Sequence, residues 1–257
     1  MSSSSNIRQM ESRVTFYSWC MLGIISIPLF YMLFLLPFFG SNVLICSAII
    51  AIWICSFIYR KRAALNAGVK GTQMSLSDLA KNLPDEFHIF AGAKVHEKME
   101  CALVVTGPTG VFDIEVKNIK GRIEGRETNK TWILHKTGRN GGTYKKELKN
   151  PLFNVGRNVD TLSDYLKLEG CPTSVEGFVY FPNDETYWRA IPQGCIVEME
   201  QLLKQITLIR PQGLLAPQHL NAINASLEKC LRDENGAMSR DDFRRRCSFL
   251  PLQNANC

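Results

Sequence analysis

Residues 99–118 read MECALVVTGPTGVFDIEVKN, and this stretch decides the fold of the chain. Two short apolar segments flank the sequence Gly-Pro-Thr-Gly at residues 107–110, a composition typical of a turn between antiparallel strands. With residues 107–110 as the loop, Thr106 pairs with Val111 and Val104 pairs with Asp113. The stretch therefore predicts a β-hairpin in this register.

The second strand of this hairpin carries charges that a purely structural strand would not need. Asp113, Glu115 and Lys117 recur at a period of two, so their side chains point to one face. In the same register, Ala102 lies across from Glu115 and Glu100 lies across from Lys117, about 5 Å away. Carboxylates can share Mg²⁺, while a nearby lysine orients water and phosphate. The pattern therefore indicates metal-dependent phosphodiester chemistry.

The composition indicates a folded protein. The chain has 257 residues, of which 46% are hydrophobic and 21% charged, and this excludes a disordered or collagen-like class. Its formal net charge of +6 suits a nucleic-acid or membrane-surface partner without requiring one. The nine cysteines form no CxxC pair, which argues against a structural zinc site and favours reduced thiols over a disulfide framework.

Two uncharged apolar runs occupy the N-terminal part of the chain. Residues 16–40 and 43–59 predict two membrane-spanning helices joined as a hairpin. A cleaved signal peptide is the alternative, but the first run is too long and the second follows at once. Arg8, Arg13 and the basic residues 60–62 flank the pair, which predicts cytoplasmic termini. We therefore expect a multi-pass protein of the cell inner membrane with its soluble domain in the cytoplasm.

The chain divides into three predicted parts: an anchor at residues 1–62, an α/β domain at 63–210, and a helical and polar extension at 211–257. Hydrophobic periodicity and the positions of glycine and proline predict the elements of the domain. Helices are expected at 63–83, from 150 onward, at 198–205 and at 219–233, strands at 87–95, 119–124, 131–136, 175–181 and 195–197, and a loop at 137–149. This alternation predicts a mixed sheet flanked by helices.

The segment GVFDIEVKNIKG at residues 110–121 resembles the core motif of the nuclease-related domain, NERD, a family of the PD-(D/E)xK nuclease-like superfamily. Further similarities follow in the family's order over residues 66–210. They are the G-x-x-G at 68–71, Trp132, the helix-opening Asn150-Pro151 and the strand VEGFVYFPN at 175–183. The resemblance implies a restriction-endonuclease-like fold after the two predicted transmembrane helices, with magnesium as cofactor and DNA or RNA as substrate.

Three positions depart from the family pattern. Thr72 stands where the family usually has Glu, Ala102 where it has Asp, and Asn154 where it has Gln. The resemblance implies that Glu115 binds the metal and that Lys117 positions water and phosphate. The missing carboxylate of Ala102 leaves Asp113 and Glu100 as candidates for the second metal ligand.

A basic segment and one histidine are candidates for substrate contact. Lys145, Lys146 and Lys149 lie in the predicted loop, and His135 lies on the preceding strand. Such a cluster can bind a nucleic-acid backbone without reading its sequence, although a solvated loop and a surface or packing role for His135 are the simpler explanations. The chain has no Walker loop or dinucleotide fingerprint, so no small-molecule cofactor is expected.

Two hypotheses for function follow from these residues. In the first, the protein is a magnesium-dependent phosphodiesterase that acts on DNA or RNA through Glu115, Lys117 and either Asp113 or Glu100. In the second, Thr72 and Ala102 mark a degenerate site, and the nuclease fold serves as a non-catalytic nucleic-acid-binding or scaffold module.

Overall fold

A computed structural model describes residues 12, 15–20, 22–24, 26, 30, 41–96, 99–138, 141–211 and 213–232. The chain divides into two compact units between Lys70 and Gly71. The long helix α1, Ser41–Asn82, belongs to both units. Its residues 41–70 lie in one unit, and its residues 71–82 are the first described residues of the other. The helix ends just before Pro84, which cannot continue it, as expected from the sequence.

The prediction of two membrane-spanning helices is wrong. Among the described residues, no helix is long and apolar enough to cross a membrane. Most of the first apolar run, residues 16–40, lies outside the described residues, and the second run, residues 43–59, forms part of α1. The predicted localisation as a multi-pass protein of the inner membrane is wrong for the same reason.

The first sheet is mixed, and its described strands follow the order β1-β2-β3-β7-β9. Its first three strands are antiparallel neighbours, and β7 and β9 continue the sheet in parallel. The bounds are β1 His88–His96, β2 Met99–Gly107, β3 Gly110–Val116, β7 Val175–Tyr180 and β9 Cys195–Ile196. Thr106 pairs with Val111 and Val104 with Asp113, which confirms the predicted hairpin register.

Helices cover both faces of this sheet. One face packs against α2, Leu152–Leu168, and α4, Pro217–Arg232. The other face packs against the end of α1 and against α3, Met199–Thr207. A hydrogen bond of 2.6 Å from Thr106 Oγ1 to Asn224 Oδ1 ties α4 to the hairpin. Both layers bury apolar side chains, which makes the first sheet the centre of the core.

A second sheet holds β4, β5, β6 and β8 in the order β6-β5-β4-β8. Its strands are β4 Gly121–Glu124, β5 Thr131–Thr137, β6 Thr143–Lys149 and β8 Thr186–Trp188. One face buries Ile123, Trp132 and Leu134 against the start of α2, and the opposite face remains largely exposed. The loop predicted for residues 137–149 is therefore wrong for Thr143–Lys149, because these residues form an edge strand with alternating side chains.

Candidate functional site

The candidate site lies at the end of β3. Glu115 is the penultimate residue of that strand, and Lys117 is the first residue after the strand ends at Val116. The Lys117 ammonium and the Glu115 carboxylate form an ion pair, in which the side chains are 30% and 15% exposed. The Lys117 amide donates a hydrogen bond of 2.8 Å to the Tyr180 carbonyl at the end of β7. The parallel strands β3 and β7 therefore fix the position of this pair.

Asp113 lies one pleat earlier on the same strand, and it is completely buried. Neither of its carboxylate oxygens accepts a hydrogen bond of regular geometry in the described part of the chain, and the Cys101 thiol and Asn158 amide are its nearest weak donors. Burial raises the pKa of Asp113 to about 7, with a smaller contribution in the same direction from the Glu115 carboxylate. The nearby Cys101 thiol and Asn158 amide act in the opposite direction. A buried carboxylate with only weak neutral donors beside it is costly to ionise, and such groups are normally paired or bound to a cation.

A distortion of β2 decides which side chain approaches Asp113. The pairing between β2 and β3 ends at Leu103 and Ile114, before Ala102 reaches the level of Glu115. On the neighbouring strand, Gly92 has a φ of 71°, a conformation that favours glycine. Cys101 and Val104 consequently belong to the same core layer although they are three residues apart. Cys101, rather than Ala102, therefore lies beside Asp113.

The other polar residues considered for the site lie in different environments. The Glu100 backbone pairs with Lys94 of β1, and the Glu100 side chain lies outside the described residues. Asn154, at the family's glutamine position, is exposed and accepts a hydrogen bond of 2.7 Å from Arg157 Nη2. Asn158, one turn later on α2, is the amide near Asp113. Sequence reasoning missed both Asn158 and Cys101, and Gly92 inside β1 was the available signal for the strand distortion.

The end of α1 packs against the segment that follows Lys117. A Cβ added at Gly71 would come within 2.5 Å of the Asn118 Cβ, so the helix approaches as closely as only glycine allows. Asn183 Nδ2 donates a hydrogen bond of 2.9 Å to Asn118 Oδ1 and holds this segment from the other side. Thr72, at the family's glutamate position, directly follows this contact in the chain.

The candidate substrate-binding residues lie on the second sheet. Lys145, Lys146 and Lys149 are exposed on β6, and His135 lies on β5. His135 Nε2 lies 3.2 Å from Glu124 Oε2. Burial lowers the pKa of Lys136, and the nearby charge of Lys146 adds a smaller shift in the same direction. The lysines and His135 thus lie on one sheet. The first strand of that sheet, β4, begins at Gly121, which is four residues after Lys117 and at most about 14 Å from it along the chain.

The donor set fits a hard cation with few protein ligands. In the part of the chain that the structure describes, no group of three or more His, Cys, Asp or Glu side chains is arranged to hold a metal ion. Magnesium, however, usually takes one or two carboxylates and keeps several waters. The buried Asp113 carboxylate and the neighbouring Glu115 carboxylate are two such donors.

Comparison with known proteins gives one family match, over the part of the chain that contains this site. No curated protein and no solved structure matches the chain. Residues 67–182 match the family model described as the nuclease-related domain, NERD. The match begins in α1, includes Asp113, Glu115 and Lys117, and ends just after β7. Residues 67–182 of this chain are therefore similar to the nuclease-related domain.

Proposed function

We propose that the protein is a magnesium-dependent phosphodiesterase that acts on DNA or RNA. The observation that carries this proposal is the fully buried Asp113 carboxylate, which lies near Glu115 and has no cationic side chain beside it among the described residues. Asp113 and Glu115 would hold the metal, with Asp113 in the role that the family gives to the position of Ala102. The bound ion would supply electrostatic stabilisation of the phosphoryl oxygens and a more acidic water.

Lys117 has two roles in this proposal. Its ammonium pairs with Glu115 and thereby limits the rotamers of that carboxylate. Since Lys117 is 30% exposed while Asp113 is fully buried, the lysine is the member of the group that a phosphate in solvent can reach. It would bind a phosphate oxygen and hold the attacking water in line.

A cleavage assay tests this function. The purified full-length chain is incubated with end-labelled DNA and RNA in magnesium, in manganese and in EDTA. We expect cleavage that requires the metal and that Glu115→Gln reduces by at least about 100-fold, the scale of losing an electrostatic contact to the transition state. Glu200→Gln, an exposed carboxylate change on α3, is the matched control and should leave cleavage unchanged. No cleavage, or unchanged cleavage by Glu115→Gln, would contradict the proposal.

The second candidate function is a non-catalytic nucleic-acid-binding or scaffold module. The complete burial of Asp113 favours it, together with the absence of carboxylates at Thr72 and Ala102. This function predicts binding that persists in EDTA and in Glu115→Gln, without turnover. The same assay, read with and without metal, separates the two functions.

A further inference from the structure

One residue from each strand of the second sheet forms a single row across its exposed face. Arg122 of β4 pairs with Tyr187 of β8 on one side and with His135 of β5 on the other. His135 in turn pairs with Lys145 of β6. Cross-strand neighbours are about 5 Å apart, so the row Tyr187-Arg122-His135-Lys145 extends over roughly 15 Å.

This row is accessible, although the opposite face of the same sheet is buried. Tyr187 is 60% exposed, the Arg122 side chain is 56% exposed, and Lys145 is exposed on the edge strand. The buried face carries Ile123, Trp132 and Leu134, which alternate with the residues of the row. The exposed Tyr187 ring therefore lies beside cations on a face where a ligand can reach it.

The surroundings of the row carry more cations than carboxylates, although the exposed Glu147 lies two residues from Lys145 on the same face of β6. At one end of the sheet, a cleft of about 530 Å³ is lined by Arg126, Arg189, Asn129 and Glu124, together with Gly125 and Ala190. The His135 side chain, and then Arg122 and Arg189, hold the pKa of Glu124 below its usual range. Glu124 therefore stays ionised among these cations and offsets part of their charge. Lys149 adds a further exposed cation on β6.

We propose that the row Tyr187-Arg122-His135-Lys145 binds a single strand of nucleic acid. Tyr187 stacks on a base, and Arg122 and Lys145 contact phosphates on either side of His135. Exposed aromatic rings among cations are the features by which proteins bind single strands without reading their sequence. The inference rests on the proposed function for the class of partner, and it adds the surface and the preference for single strands.

The test measures binding without cleavage. Fluorescence anisotropy of labelled single-stranded DNA, single-stranded RNA and duplex DNA is recorded in EDTA with the full-length chain. We expect Tyr187→Ala to weaken single-strand binding by at least about 5-fold, because the variant loses the ring on which a base would stack. Tyr187→Phe retains the ring and should bind like the wild type. Arg122→Ala should weaken binding and reduce the salt slope of log K by about 0.7.

Two further variants sharpen the result. Glu124→Gln removes the anion beside Arg122 and His135, so it should strengthen binding. Lys204→Ala removes an exposed cation from α3, outside the second sheet, and should have no effect. Wild-type affinity in both Tyr187→Ala and Arg122→Ala, absent binding by the wild type, or tighter binding of duplex would overturn the inference. Binding without cleavage would contradict only the phosphodiesterase function.

Discussion

The Cys101 thiol lies beside the Asp113 carboxylate, in a position that a regular hairpin would give to another side chain. Burial raises the pKa of Cys101 well above its usual value, and the Asp113 carboxylate adds to this shift. The thiol therefore remains protonated and leaves Asp113 without a compensating charge. This relationship makes Asp113 the most unusual carboxylate of the candidate site and the best place to test it.

Asp113→Asn should stabilise the protein at neutral to alkaline pH in EDTA. The folded-state pKa of Asp113 is about 7, above the ordinary value of 3.8, so the folded state holds its proton more tightly than the unfolded state. The resulting contribution to stability is complete below pH 4 and is lost as the pH rises towards and through 7. At pH 8 the asparagine variant should be more stable by roughly 2–4 kcal/mol.

Urea unfolding of wild type and Asp113→Asn between pH 4 and pH 8 checks this expectation. The difference in the free energy of unfolding should grow with pH over that interval. Glu200→Gln, an exposed change, should show no such trend. A pH-independent difference between wild type and Asp113→Asn would mean that the Asp113 carboxyl has an ordinary pKa in the folded protein.

Two glycine-to-alanine changes should have opposite effects on stability. A Cβ at Gly177 of β7 would lie 2.2 Å from Val155 Cγ1 and 2.7 Å from Val159 Cγ2 of α2. Gly177→Ala should therefore destabilise the protein by about 1–3 kcal/mol through overpacking. Gly156 is exposed on α2 with no atom within 4 Å of an added Cβ, so Gly156→Ala should stabilise by about 0.5–1 kcal/mol. Thermal unfolding of both variants measures this, and equal shifts would contradict the observed packing of α2 on β7.

Arg210 connects the segment after α3 to β7 through side-chain hydrogen bonds. Its Nε and Nη2 donate to the two Glu176 carboxylate oxygens at 2.7 Å and 2.5 Å, and its Nη1 donates to the Gln205 carbonyl at 2.7 Å. Since Arg210 is only 9% exposed, Arg210→Ala should cost about 2–4 kcal/mol.

Arg210→Lys should recover little of this loss, because an ammonium cannot make the paired contacts of the guanidinium. Chemical denaturation measures both variants, and Lys167→Ala serves as the control, since Lys167 forms an exposed pair with Asp164 at 3.4 Å. A lysine variant as stable as the wild type would show that charge alone, without the two-point geometry, holds the segment.

The sequence was sufficient to predict the hairpin, the Glu115–Lys117 strand end and most elements of the domain. The reason is that Gly107–Gly110 fixes the turn and that alternation then fixes the faces of β3. The Val175–Tyr180 strand and the helix after Pro151 were also predicted, because continuous apolar content and helical periodicity are strong local signals.

The failures have identifiable physical causes. The edge strand β6 has a polar, lysine-rich sequence that is typical of a loop, and only pairing with β5 makes it a strand. The position of Cys101 depends on the conformation of Gly92 in a neighbouring strand, so the alternation of residues within β2 alone does not reveal it. The two membrane spans were predicted from the hydropathy of the sequence, and no described helix is both long enough and apolar enough to cross a membrane.

The central claim is that Asp113 and Glu115 together bind a divalent cation, and calorimetric titration of the full-length chain with Mn²⁺ or Mg²⁺ tests it most directly. We expect binding that releases protons, since Asp113 must ionise, with more release at pH 6 than at pH 8. Asp113→Asn and Glu115→Gln should each abolish binding, while Glu200→Gln should preserve it. Absence of binding by the wild type, or undiminished binding by Asp113→Asn, would contradict the account.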